Sequence, residues 1–183
     1  MTSETDAEAT DTGTPTTVER PAVVLVDTDS ADGLPPVGHG EGEAAFVVVS
    51  LLPRTEQRVA VLEAAHGGPA DSVHVVGTEE SNPDGYDTVR TVSRPGDLTG
   101  LSMRIGEAMS ELHGDDIYLY FDDVTNLLQY TDLNTAYRFF NVLTGRLRAA
   151  DAAGFFGVTP GAHDERTVNT LRNLFDDTVG EFP

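Results

Sequence analysis

Short, nearly continuous apolar runs alternate along this chain with longer stretches in which apolar residues return every three or four positions. The runs are Ala22–Asp27 (AVVLVD), Ala44–Leu51 (AAFVVVSL), Ser72–Val76 (SVHVV), Thr88–Val92 (TVRTV), Ile117–Asp122 (IYLYFD) and Gly154–Val158 (GFFGV). A weaker candidate, Thr178–Phe182, closes the chain. Each run has the length of a strand. Apolar residues without alternation suit strands covered on both faces, as in a parallel sheet.

Helices are expected between these runs. One covers Thr55–His66. A second opens at Asp97, a side chain suited to accept from free N–H groups of a first turn, and carries Leu98, Leu101, Ile105, Ala108, Met109 and Leu112 toward a terminating Gly114. Asp132 precedes a long helix whose Leu133, Ala136, Tyr137, Phe140, Leu143 and Leu147 make one apolar stripe. Asp164 caps a last helix with Val168, Leu171 and Phe175. Strand–helix alternation of this kind predicts an α/β domain of three layers around a mostly parallel sheet. Thr28–Glu43 and Glu79–Asp87, rich in Gly, Pro and acids, read as loops. The first is long for a bare connection, which marks it as functional or mobile. Residues 1–20 hold one aliphatic, Val18, and are expected to be a disordered acidic tail before a single domain over 21–183.

Charge changes the picture. The chain has 183 residues with 31 acids against 11 basic residues, all of them arginine, and a formal charge of −20. A lysine-free acidic surface stays hydrated in concentrated salt, where a Debye length of roughly 3 Å also screens self-repulsion. The composition is that of a soluble cytoplasmic protein of a salt-loving archaeon. Direct nucleic-acid binding is disfavoured, because no basic stripe exists to neutralise phosphates. Absent cysteine removes disulfides and thiolate metal sites. No apolar run reaches the ~18 residues of a membrane span.

The strongest chemical signal is Ile117–Asp123 (IYLYFDD), a strand ending in two carboxylates at the rim where parallel sheets bind ligands. Asp122 there has the Walker B arrangement for Mg²⁺, or else Asp122 or Asp123 caps the short helix that follows. No GxxxxGK phosphate loop follows the first strand, and Asp32, Glu41 and Glu43 would repel a triphosphate there. His163 in GAHDER is a rim contact or a surface histidine beside a cap. The other histidines, His39, His66, His74 and His113, lack zinc spacing. Arg138, Arg146, Arg148, Arg166 and Arg172 gather in the final third, as ion-pair partners or a partner surface. Phe139 falls off the apolar stripe of its helix and is the candidate contact residue, with Arg138 and Arg146 beside it. A rival pattern is Asp27 and Asp29 after the first strand, Ser50 after the second, a later arginine, and Asp122–Asp123. That order resembles haloacid-dehalogenase-type phosphatases, although their usual lysine has no counterpart.

From Asp97 onward the segments DLTGLSMRIGEAMSEL, IYLYFDDVTNLLQYTDLNTAYRFFNVLTGRLRAADAAGFFGVTP and GAHDERTVNTLRNLFDDTV are similar to haloarchaeal proteins related to the RecA/KaiC-like ATPases. The resemblance places Asp122 at Walker B, puts Asp123 where the pattern usually has Ser, and keeps Thr125. It implies a degenerate RecA/KaiC-like domain lacking Walker A, used for regulation or assembly through a protein partner or self-association. No cofactor is expected, with residual Mg²⁺ or nucleotide at Asp122, Asp123 and Thr125 as the alternative. The function expected is non-catalytic.

Overall fold

In a computed structural model the described residues are 16–81, 85–113 and 115–183. Among these residues seven strands form one sheet, every pairing parallel: β1 (Ala22–Asp27), β2 (Ala44–Ser50), β3 (Ser72–Thr78), β4 (Thr88–Val92), β5 (Asp116–Asp122), β6 (Ala153–Val158) and β7 (Asp177–Val179). Their order is β4-β3-β2-β5-β6-β1-β7. The helices are α1 (Thr55–His66), α2 (Leu98–Glu111), α3 (Val124–Leu127), α4 (Leu133–Ala149) and α5 (Glu165–Arg172). The expected α/β three-layer architecture is what forms.

Strands β1, β2, β5 and β6 are buried along their whole length, as their unbroken apolar character requires. One face of the sheet packs Leu101 and Ile105 of α2, Phe140, Leu143 and Leu147 of α4, and Leu171 of α5 against Leu119, Phe121 and Phe156. The other face receives Leu62 and Ala65 of α1 over Phe46, Tyr118, Tyr120 and Phe155. Crossovers running toward β7 carry helices on the first face, and the β2–α1–β3 crossover running toward β4 uses the second. This is the distribution that right-handed βαβ connections impose.

The expected N-terminal caps form; the terminating Gly114 lies outside the described residues, and the last helix stops at Arg172, leaving Phe175 beyond its end. Asp97 accepts from Gly100 N, Asp132 from Thr135 N and Asp164 from Thr167 N. At the C-terminus pairing is confined to Asp177–Val179, a residue earlier and shorter than the run suggested.

The connection from β1 to β2 has no helix, and its segment lies against the α1 face. Val37 is buried there, its N–H donates to Ala65 O, and Gly38 O accepts from the Tyr118 hydroxyl. The expected tail lies outside the described residues for 1–15. Its end does not: Val18 forms a parallel bridge with Val37, and Arg20 pairs with Asp116 at 2.8 Å. The folded unit therefore starts before residue 21. The reason is physical: Val18 fills the apolar gap that a helix in the first crossover would have covered.

Candidate functional site

The C-terminal strand ends form the rim at which open parallel sheets bind ligands, at points where neighbouring strands lead away in opposite directions. One such point lies between β2 and β5, where Ser50 and Asp122 are register partners. A second lies between β1 and β6, where Asp27 pairs with Val158. Strand β6 stands between β1 and β5, so Asp27 and Asp122 end strands that are not neighbours.

Asp122 is 0% exposed. Its Oδ1 accepts from Arg58 Nε at 2.7 Å, and its Oδ2 has no partner among the described residues. Arg58 comes from α1, whose helical spacing turns it over the rim, and its guanidinium lies 5.2 Å from the centre of the Tyr120 ring. Burial drives the Asp122 carboxyl above its ordinary value, with the charge and hydrogen bond of Arg58 opposing. Burial likewise raises the Tyr120 hydroxyl. Ser50 donates to Leu52 O at 2.6 Å instead of facing a ligand.

Asp27 is engaged within its own turn, accepting from Asp29 N at 2.9 Å and from the Ser30 hydroxyl. Burial pulls its carboxyl upward, and these hydrogen bonds outweigh that pull, leaving it below its ordinary value. Asp29 is exposed. A small cavity of about 120 Å³ opens between the β1–β2 connection and α1, lined by Asp27, Thr28, Leu34, Arg58 and Tyr120 among others.

Asp123 sits at φ 72°, the left-handed region an aspartate tolerates better than most residues, and caps α3 by accepting from Asn126 N at 2.9 Å. Thr125 reaches across to the next strand end. Its Oγ1 accepts from Thr159 N at 2.9 Å and shares a 2.9 Å hydrogen bond with His163 Nε2. Thr159 Oγ1 lies 3.2 Å from Thr28 Oγ1. Burial depresses the His163 pKa, against the pull of Asp164 and Asp123. Thr125, Thr159, Thr28 and His163 thus tie the β5, β6 and β1 ends together.

The candidate contact residues lie elsewhere, on α4. Phe139 is half-buried, with its ring 6.0 Å from Phe121 and 5.2 Å from Phe140. Arg138 is exposed. Arg146 crosses to α2, where its Nη1 donates to Ser102 O at 3.0 Å. Arg148 pairs with Asp176 at 2.9 Å. Arg58, Tyr120 and Thr159 were missed by sequence reasoning. Nothing local marks Arg58, because its carboxylate partner stands on a different element and only the fold brings them together.

Mg²⁺ needs several oxygens free to face one point. Asp122 offers one unengaged oxygen inside the protein beside a guanidinium, and no group of three or more His, Asp or Glu gathers anywhere among the described residues. This is a poor fit to a metal. No helix among the described residues is long and apolar enough to cross a membrane.

Among solved structures, the chain is similar to a Pyrococcus horikoshii OT3 protein from the structural study of Project ID PH0250. The identity is 11% and the TM-score 0.52, over 87% of this chain and 81% of that one. The likeness supports the fold alone. No curated protein matches. A family model does match, over residues 23–180, and with nearly the whole sheet inside that match the chain belongs to DUF7504, a family of unknown function.

Proposed function

We propose that this protein is a non-catalytic regulatory or scaffold module that works through protein contacts, built on a RecA/KaiC-like sheet that has lost its phosphate loop. One observation carries the reading: Asp122, the residue on which magnesium and phosphate chemistry would depend, is buried and bonded to Arg58. Arg58 takes one of the two oxygens that a metal at Asp122 would need. The first crossover lacks the helix whose N-terminus would hold phosphates. A phosphatase built on Asp27 has less support, because both of its oxygens are engaged locally and Asp122 lies two strands away.

The test is calorimetric titration of Mg²⁺–ATP, with Mg²⁺ alone as control, into the protein in multimolar KCl. No heat beyond the control is expected, and no phosphate release on prolonged incubation. Specific binding that Asp122→Asn abolishes would overturn the reading. It would favour the second one, a nucleotide-sensing switch without hydrolysis, for which the unpartnered Oδ2 of Asp122 is the motivating observation.

A further inference from the structure

On a chain of net charge −20, α4 carries no acid at all, and the exposed acids of its neighbour α2 stand beside arginines. No acid stands between Asp132 and Asp151, the longest acid-free run in the sequence, and α4 within it bears Arg138, Arg146 and Arg148. On α2 the only acids are Glu107 and Glu111, and both are drawn to Arg90, at 3.7 and 2.5 Å. Glu107 also meets Arg104 at 3.0 Å. Neither Arg138 nor Arg146 has a carboxylate within 4.0 Å among the described residues.

The same side is grooved and partly apolar. A cleft of about 560 Å³ runs between the two helices, lined by Met103, Gly106, Met109, Arg146 and Ala149 among others, with no carboxylate in its wall; at one end Met109, His113, Ala149 and Ala150 also border a second pocket that holds Asp115, Asp116 and Asp151. Met103 is 59% exposed and Val142 50% exposed, two of the four large hydrophobics that stand open among the described residues. Val142 is one turn from Arg146 and one turn from Arg138, so the three share a side of α4. Gly145 leaves open space beside them. Methionine walls adapt to varied side chains.

From this juxtaposition we infer that the α2–α4 groove docks an acidic amphipathic helix of another protein. The inference rests on the protein-contact reading above and names the partner's chemistry. Aliphatic side chains of the partner enter between Met103 and Val142, and its carboxylates meet Arg138 and Arg146. Charge complementarity selects this occupant: a basic helix would find cations here, while the acids that cover the rest of the chain would attract it elsewhere. The stretch from Arg138 to Ala149 is about 16 Å long at 1.5 Å per residue, room for roughly three turns.

The experiment uses two labelled peptides of three to four turns with leucine at one helical face, the remaining positions glutamate in one and lysine in the other. Fluorescence anisotropy is read with the full chain at low and high salt. The glutamate peptide is expected to bind at least tenfold more tightly than the lysine peptide. Val142→Asp, Met103→Glu and the pair Arg138→Glu with Arg146→Glu are each expected to weaken it about tenfold or more. Circular dichroism and denaturation confirm that each variant is folded, and the two apolar variants check one another. Equal binding of both peptides, no binding of either, or indifference to all three variants would overturn the groove. Self-association that Val142→Asp abolishes would also overturn it, by giving the face to a second copy. Mg²⁺–ATP turnover would remove the protein-contact reading itself, whatever the peptides do, so the two failures are separable.

Discussion

Replacing Arg58 with methionine keeps a stem of similar length against Tyr120 and removes the cation bonded to a fully buried carboxylate. Asp122 is 0% exposed, and the Arg58 side chain is 14% exposed. Breaking one side of a buried pair costs about 3–5 kcal/mol, because the remaining charge is left uncompensated in a medium that solvates it poorly. Water can enter beside Arg58 through the small adjoining cavity. The lower end, about 3 kcal/mol, is therefore expected. For a chain of this length that corresponds to a fall in Tm of about 6–12 °C. The pH dependence gives a sharper check. Burial already raises the folded pKa of Asp122 above its unfolded value of 3.8, and loss of Arg58 raises it further. A group with a raised folded carboxyl pKa binds more protons folded than unfolded, so stability falls as pH rises from the unfolded value through the folded one. The deficit of Arg58→Met should be full at neutral pH and shrink on acidification, and adding Asp122→Asn should recover much of it. Denaturant unfolding across pH 4.5–8 reads all three. A deficit under about 1 kcal/mol, or one unchanged with pH, would refute the buried-pair account.

Thr125→Val leaves the Thr159 N–H without its acceptor and should cost about 1–2 kcal/mol in denaturant unfolding; unchanged unfolding would show that the contact contributes nothing. His163 has a folded pKa depressed below 6.5, so its contribution is complete above that value and is lost as pH falls through the folded one. His163→Gln should flatten that part of the stability profile. Phe139→Asp should destabilise by about 2–3 kcal/mol, since half of a ring packed on Phe121 and Phe140 is replaced by a charge; unchanged unfolding would show that the ring contributes nothing to the core. Gly77→Ala would put a methyl 2.7 Å from the Ser50 carbonyl oxygen, and a loss of about 1–3 kcal/mol is expected from the backbone shift it forces.

The local elements were legible in the sequence because their causes are local. IYLYFD and AAFVVVSL become strands because a residue run with no polar alternation needs cover on both faces. Asp97, Asp132 and Asp164 cap because a carboxylate three residues before a free N–H can reach it. Asp122 and Asp123 were placed correctly at the end of a strand, and Thr125 just beyond it, by the same reasoning.

What surrounds them was decided by tertiary structure. Strand order depends on long-range pairing, and no local pattern says that β2 and β6 flank β5. Two neighbouring carboxylates in IYLYFDD look equivalent in sequence, yet one turns inward to Arg58 and the other outward to cap α3. That choice follows from alternation of side chains along a strand and from which helix crosses above it. Val18 reads as a lone aliphatic in a polar tail, and it is held because the first crossover left an apolar face uncovered. The sequence alone set the segments and their acidity. Only the packed sheet determined that the carboxylate best placed for chemistry would be buried against an arginine, because burial and pairing arise from residues far apart in the chain.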